Sequence, residues 1–492
     1  MAQTPITYNN FVNGLTTDLP EINVVPPSLY AMSNVNVSYK KGAILKRCGY
    51  EKVANTLEAD KAITGLFDFR QENGTEKMLA TVNDSTDSDT QLFFRANGAG
   101  NWTEIAAAET AWAGKPNVNV EMESFIGYCF FVGWGSTSLF LPVASLTGTT
   151  FSTTTNVTDM PQAKYIKRYR DRLYIANCFY SATNYPYRVY FSSVPSAGAI
   201  TWDPAEDFFD VDYSEEITGM EQNWDRLVLF TNYSAYFYDG IGIKKTWDIG
   251  CSNHRTIKNQ GQYMIWANYD GIWVSTGGFP QNISERVVDF IRGANMDNAF
   301  ATLVDEEYHL HVGNVTVNGL SYSNCVIIWN IATNSFRIHE YADNINIMAR
   351  YFEDGKNFVY LGGADDGNVY RLGKYTDSTL LTSDNRKVIE SFFRTGALHW
   401  DMPYNRKQIG KIIAYAEKAM GVELKWRTIT SNNEVVDDWS SSMKLTKFHN
   451  ISQVNPQHGF FLQLEGTEIG SNEYWEFYGF TVLLSLDTKI KN

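Results

Sequence analysis

Helical periodicity, long apolar runs, paired cysteines and excess positive charge are all scarce in this 492-residue sequence. No run of eighteen apolar residues occurs, so no membrane-spanning helix is expected. The opening MAQTPITYNN has neither a basic stretch nor an apolar one, so no secretion signal is expected either. Five cysteines (Cys48, Cys129, Cys178, Cys251, Cys325) lie far apart with no C-x-x-C, and are expected to be reduced, mostly buried thiols of a chain folded in a cytoplasm. Without an export signal the N-x-S/T triplets at Asn101, Asn156 and Asn314 are not expected to carry glycans. Lysine and arginine number 41 against 55 acidic residues, a net charge of −14, which argues against gripping nucleic-acid backbones by neutralising phosphates. A negative surface repels DNA and lets it slide past, as a conduit requires.

Chemistry-bearing motifs are missing too. There is no G-x-x-x-x-G-K-[ST], no G-x-G-x-x-G between strand and helix, no G-x-S-x-G and no H-E-x-x-H. No cofactor, metal site or enzymatic activity is expected.

Aromatic residues are abundant: 29 Tyr, 29 Phe and 13 Trp, which favour pleated, half-buried surfaces. From about residue 62 to 373 one theme recurs, a turn cluster followed by short alternating strands. Units start near Ile63, Val118, Lys164, Glu216, Arg255, Ala299 and Ile345, at intervals of roughly 40 to 55 residues, the period of a four-stranded propeller blade. Asp171-Arg172-Leu173 and Asp225-Arg226-Leu227 each set a turn before an apolar strand, and Gly355-Lys356-Asn357 does the same. Asp239-Gly240, Asp270-Gly271, Asp354-Gly355 and Asp366-Gly367 are tight-turn dipeptides whose glycine supplies positive φ. The expected fold is all-β: a β-propeller of about seven blades (six or eight being the alternatives) over residues 61–375, a C-terminal β-sandwich over 376–492, and an extended N-terminal arm over 1–60. The arm is inferred from Pro20, Pro26 and Pro27 and the basic turn at Lys40-Lys41-Gly42, since proline denies donors to a sheet. Residues 374–387 are expected to be a polar connector. The one helix candidate is Ser284–Arg292, with Ser284 as its cap.

Several residues invite a chemical reading. His309 and His311 share a strand face that could suit a metal; a satisfied or exposed pair is the plainer expectation. The acidic stretch Asn83–Asp89 lacks the glycine and bidentate glutamate of a calcium loop and is expected to be a hairpin tip. Glu121, Asp203, Glu206 and Asp239 are formal candidates for the paired carboxylates of a glycoside-processing or carbohydrate-binding propeller, the alternative reading. Ser196–Trp202 faintly resembles a sialidase Asp-box but lacks its aspartate, and is read as a turn entering a strand. The aromatic strands FIGYCFFVGW and YSAYFYDG are read as core between blades rather than as sugar platforms.

Three stretches resemble the tail-hub or nozzle proteins of short-tailed bacteriophages, also called packaged-DNA stabilisation proteins. The N-terminal FVNGLTTDLP…SLYAMSNVNVSYKKGAILKRCGYEKV is similar to their opening arm, with G-x-[LI]-x-[KR]-R-x-G at Gly42 to Gly49. In the middle, Tyr190-Phe191-Ser192, Trp202-Asp203, an acidic stretch and Asp225-Arg226-Leu227 follow their order. Gly271-Ile272-Trp273, Gly277-Gly278 and Ile283-Ser284 resemble a further blade, and Thr395, Leu398, Pro403 and Lys407 a C-terminal pattern. The resemblance implies a structural virion protein of the tail that folds in the host cytoplasm. It implies a homo-oligomeric ring, a hexamer favoured, below the portal and adaptor, which retains packaged DNA and conducts it at ejection. Tail fibres or spikes would attach outside, and viral DNA would pass without sequence-specific binding. Phe11, Leu19, Pro26, Leu45 and Arg47 of the arm are the expected contacts to a neighbouring subunit or adaptor.

Overall fold

The computed structural model describes residues 3–486 apart from 72, 97–99, 136–139, 401–404, 420, 430–438, 441, 447 and 469–472. Pro403 of the C-terminal pattern lies outside the described residues. The fold is all-β: 43 strands in nine sheets, with two short α-helices among the described residues.

Six of the sheets contain four antiparallel strands laid down as a meander, and in a seventh three such strands are completed by one from the N-terminal segment. Their first strands are Ile63–Arg70, Val118–Phe125, Gln162–Tyr169, Ile217–Asn223, Lys258–Gln260, Phe300–Val304 and Ile345–Glu353. Each first strand lies against the first strand of the next sheet, and Ile345–Glu353 lies against Ile63–Arg70. The period-two alternation of the sequence explains the packing between sheets. In the second sheet Phe131 points into a cluster shared with Phe69 and Leu79 of the first, while its neighbour Phe130 points into a cluster with Ile166 and Ile175 of the third. In the fourth sheet Tyr236 and Tyr238 face the third, and Phe237 faces Trp266 of the fifth. The aromatic strands are therefore core. The Asp354-Gly355 hairpin has φ of 50° and 77°, positive at both central residues as a twisted two-residue turn demands.

The C-terminal residues form two further sheets over one core, which includes Ile412, Leu424, Trp426, Leu464 and Val482 and continues into Tyr308 and Ile327 of the sixth meander. One sheet is organised round Lys407–Glu417 and Glu476–Leu486, the other round Val422–Ile429 and Phe461–Glu468.

The N-terminal segment does not run over the surface as an arm. Thr4–Tyr8 and Ile44–Lys46 pair with Glu476–Leu486, and Ala31–Ser33 pairs with Ser391–Arg394. Gly14–Leu15 joins the sixth meander in parallel, close enough that a Cβ on Gly14 would strike the Phe336 carbonyl at 2.1 Å. Tyr50–Lys52 is the fourth strand of the seventh meander, antiparallel to Val369–Leu372. These pieces are two to five residues long with partners hundreds of residues away, so they leave no periodic trace in sequence. The connector is also tied in: Ser383–Asp384 adds to the seventh sheet beside Tyr50.

The helix is shorter than expected, a 3-10 turn Glu285–Val287 followed by Val288–Arg292. Ser284 does not cap it: its hydroxyl accepts from the Ile272 amide at 2.8 Å and donates to Asn282 Oδ1 at 2.9 Å.

Candidate functional site

The first strands of the meanders surround a central cavity of about 710 Å³. Register decides what faces it. Counted back from the hairpin that follows each first strand, Glu123, Lys167, Glu221 and Lys258 occupy the same position in four consecutive sheets. The result is a belt of alternating charge. Lys167 Nζ lies 3.4 Å from Glu123 Oε2 and 3.0 Å from Glu221 Oε1. Burial opposes the Lys167 charge, but the two carboxylates outweigh it and hold its pKa above the ordinary lysine value. Beside the belt, His254 Nε2 sits 3.6 Å from Glu121 Oε2. Burial would raise the Glu121 pKa, yet His254, Lys258 and Arg255 together bring it below the ordinary value. Arg255, desolvated more than Glu121 compensates, falls to about 10. Three carboxylates thus face three cations, and the belt neutralises itself. Sequence reading missed it, although Lys167 and Glu221 each stand four residues before the D-R-L turn of their unit.

Of the four carboxylates considered for glycoside chemistry, only Glu121 lines the central cavity. Asp203 caps its own turn through the Ala205 amide at 3.1 Å, and Asp239 accepts from Ile241 and Gly242 at 2.9 and 3.0 Å. Glu206 lies in the same Asp203 turn, its amide donating to the Asp203 carbonyl. The acidic stretch is a turn too: Asp84 accepts from the amides of Thr86, Ser88 and Asp89. Ser196–Trp202 folds as a turn leading to a bridge between Ser192 and Trp202. Both histidines of the pair are buried. His309 Nε2 is 3.6 Å from Glu307 Oε2, whereas His311 stacks on Phe300 at 4.4 Å. Burial and the nearby Arg255 push His311 down to about 3, so it is a neutral core ring.

Among the expected arm contacts, Phe11, Leu45 and Arg47 are buried inside this chain, which removes their side chains from any neighbour. Phe11 is in the C-terminal core. Leu19 is exposed and Pro26 half-buried.

The most exposed apolar side chains among the described residues are elsewhere, on the third to fifth meanders. In a meander the first and third hairpins lie at one end and the second at the other. One end carries Trp224 (59% exposed), Ile241 (95%) and Phe279 (74%). Their loops adjoin: a Cβ on Gly277 would meet Trp224 Nε1 at 3.6 Å, and one on Gly240 would meet Arg170 of the neighbouring hairpin at 2.7 Å. The opposite end carries Tyr213 (71%), Tyr233 (76%) and Tyr269 (50%). There Ser234 reaches Glu215 at 3.3 Å, joining the Tyr213 and Tyr233 loops.

Acid should unfold the chain through its depressed carboxylates. Burial would raise Glu307, but Arg337 and His309 outweigh it and hold it well below the usual 4.5. Such a group stabilises fully above its unfolded pKa and progressively less as pH falls below it. Melting temperature is therefore expected to drop below pH 4.5, and Glu307→Gln to flatten that slope while lowering stability at pH 7. An unchanged slope in the variant would contradict the assignment.

No family model matches the chain, and no curated protein matches it. Solved structures do match in part. The AfRom2 CNH domain aligns at 8% identity with a TM-score of 0.41, over 67% of this chain and 100% of that one. The Pan2 WD40 domain of Neurospora crassa aligns at 7% identity with a TM-score of 0.37, over 68% of this chain and 97% of that one.

Proposed function

We propose that the chain is a structural subunit of a virion tail, a seven-bladed β-propeller joined to a β-sandwich. Its copies close into a ring that retains packaged DNA and conducts it during ejection. The observation that carries this reading is the pair of opposed apolar rims. A ring subunit stacked between other components needs unlike surfaces that engage different partners through heterologous contacts. Exposed aromatic clusters of this kind mark interaction sites. The N-terminal segment adds stiffness, since it is stitched into both C-terminal sheets and two meanders. The net charge of −14 suits a lumen that must not hold DNA.

Mutation of the rims tests the reading without disturbing the core. Trp224→Asp with Phe279→Asp is expected to leave melting temperature and circular dichroism unchanged while weakening self-association or adaptor binding at least tenfold by light scattering. Undiminished association in that variant, and in Tyr213→Asp with Tyr233→Asp, would remove the rims from the assembly.

A further inference from the structure

The charges round the central cavity nearly balance, but they are unevenly placed. Its four carboxylates, Asp68, Glu121, Glu123 and Glu221, come from the first, second and fourth sheets. Each already has a partner: Arg70 lies 3.0 Å from Asp68, Lys167 sits between Glu123 and Glu221, and His254 stands beside Glu121. The lining contributed by residues 254–357 contains no carboxylate, yet it contains Arg255, Lys258 and Arg350. None of these three forms an ion pair among the described residues. The wall made by the fifth to seventh sheets is therefore cationic, in a chain whose net charge is −14.

The three cations are placed to share a ligand. Lys258 is the third residue back from the first hairpin of the fifth sheet and Arg350 the fourth back from that of the seventh, so they stand at nearly the same depth. Arg255, at the entrance to the fifth sheet, reaches across to the seventh. Its guanidinium lies over Phe300 of the sixth sheet at 4.9 Å, and its Nη2 donates to the Asn346 carbonyl. All three are accessible: Arg255 and Lys258 are half-buried and Arg350 is exposed. Lys258 Nζ has no hydrogen-bond partner among the described residues, and it is not sealed in the core. Burial draws Lys258 below the ordinary lysine value despite Glu121 and Glu221, the penalty of a desolvated cation whose counter-charges are not in contact. An anion on this wall would supply the missing contact. The cavity volume, about 710 Å³, falls within the range of small-molecule sites, roughly 300–1,000 Å³. Guanidinium groups match the oxygens of phosphate and carboxylate in geometry as well as charge. The carboxylates of the opposite wall repel an extended polyanion, so a compact anion is the better fit.

We propose that the wall formed by Arg255, Lys258 and Arg350 binds a small oxyanion in the central cavity, of the phosphate or dicarboxylate class.

Equilibrium dialysis of the full chain at physiological salt, with radiolabelled inorganic phosphate and succinate as separate probes, tests this and tells the two sources apart. Saturable binding of one equivalent is expected for one probe, with the other competing poorly. Lys258→Gln and Arg350→Gln should each weaken that binding at least tenfold, whereas Lys418→Gln, on the sandwich, should leave it unchanged. Arg350 is exposed, so its variant keeps the test open if Lys258→Gln fails to fold. Absence of saturable binding for both probes overturns the proposal. Binding that persists unchanged in Arg350→Gln, or that falls equally in Lys418→Gln, overturns it too. Neither cavity variant alters a rim residue, so ring assembly and anion binding can fail independently.

Discussion

Arg47→Ala is expected to destabilise the chain by about 3–5 kcal/mol, the cost of leaving a buried charge without its partner. Every donor of this guanidinium is used. Nε binds Asn34 Oδ1 at 2.7 Å, Nη1 binds the Cys48 carbonyl at 3.0 Å and Asp384 Oδ1 at 2.8 Å, and Nη2 binds the Glu340 carbonyl at 2.7 Å and Asp384 Oδ2. The side chain thereby joins the N-terminal segment, the last strand of the sixth meander and the connector. Burial works against the charge, and Asp384 more than restores it. Removing Arg47 strands Asp384 and takes a donor from three further acceptors, Asn34 Oδ1 and the Cys48 and Glu340 carbonyls. Arg47→Lys keeps the charge but cannot span the fork, so it should recover less than half of the loss. Urea midpoints of the two variants check both statements, and a midpoint of wild-type value for Arg47→Ala would show that the junction is not structural.

Deleting residues 1–52 is expected to yield no soluble, folded chain. The deletion removes Tyr50–Lys52 and so exposes the edge of Val369–Leu372 in the seventh meander. It also empties Phe11, Leu15, Leu29, Met32 and Ile44 from the C-terminal core, each fully buried. Fully burying one such side chain contributes about 1.5–3 kcal/mol, so five together contribute about 7.5–15 kcal/mol, as much as the whole stability margin of ordinary domains, about 5–15 kcal/mol. Deleting only residues 1–9 removes an edge strand, Thr4–Tyr8, with no fully buried residue, and should leave a folded protein with a modestly lower melting temperature. Soluble expression and circular dichroism separate the two outcomes. A folded, cooperative 53–492 fragment would refute the stitched role of the segment.

The contrast between these regions explains how much could be read from the sequence. The meanders were legible because hairpin partners are sequence neighbours: the expected unit starts lie within three residues of the first strands, Ile63, Val118 and Ile345 coinciding with them. The N-terminal segment was misread because its prolines and basic turn carry the marks of a surface arm. Its strands owe their existence to distant partners, as Ile44–Lys46 does to Glu476–Leu486. Arg47 is expected from sequence to touch a neighbouring subunit or adaptor, yet it is buried within the chain, as is Lys46, whose Nζ binds Glu468 at 2.8 Å. No local pattern announces a charge whose counter-ion is more than 300 residues away. The charge belt was nearer to hand: Glu123, Lys167, Glu221 and Lys258 become visible once the units are aligned on their hairpins rather than on their starts. The rims could not be seen that way, because an exposed Trp224 and a buried Trp266 look alike until the turn and the strand are told apart.

The proposed role, a ring subunit with two unlike contact surfaces, is tested most directly by electron microscopy of the purified full chain, alone and with the portal–adaptor complex of a short-tailed bacteriophage. The account predicts closed rings of one chain type, free or on the adaptor, with Trp224, Ile241 and Phe279 at one interface and Tyr213 and Tyr233 at another. Single particles of one 55.8-kDa chain in both preparations would contradict it.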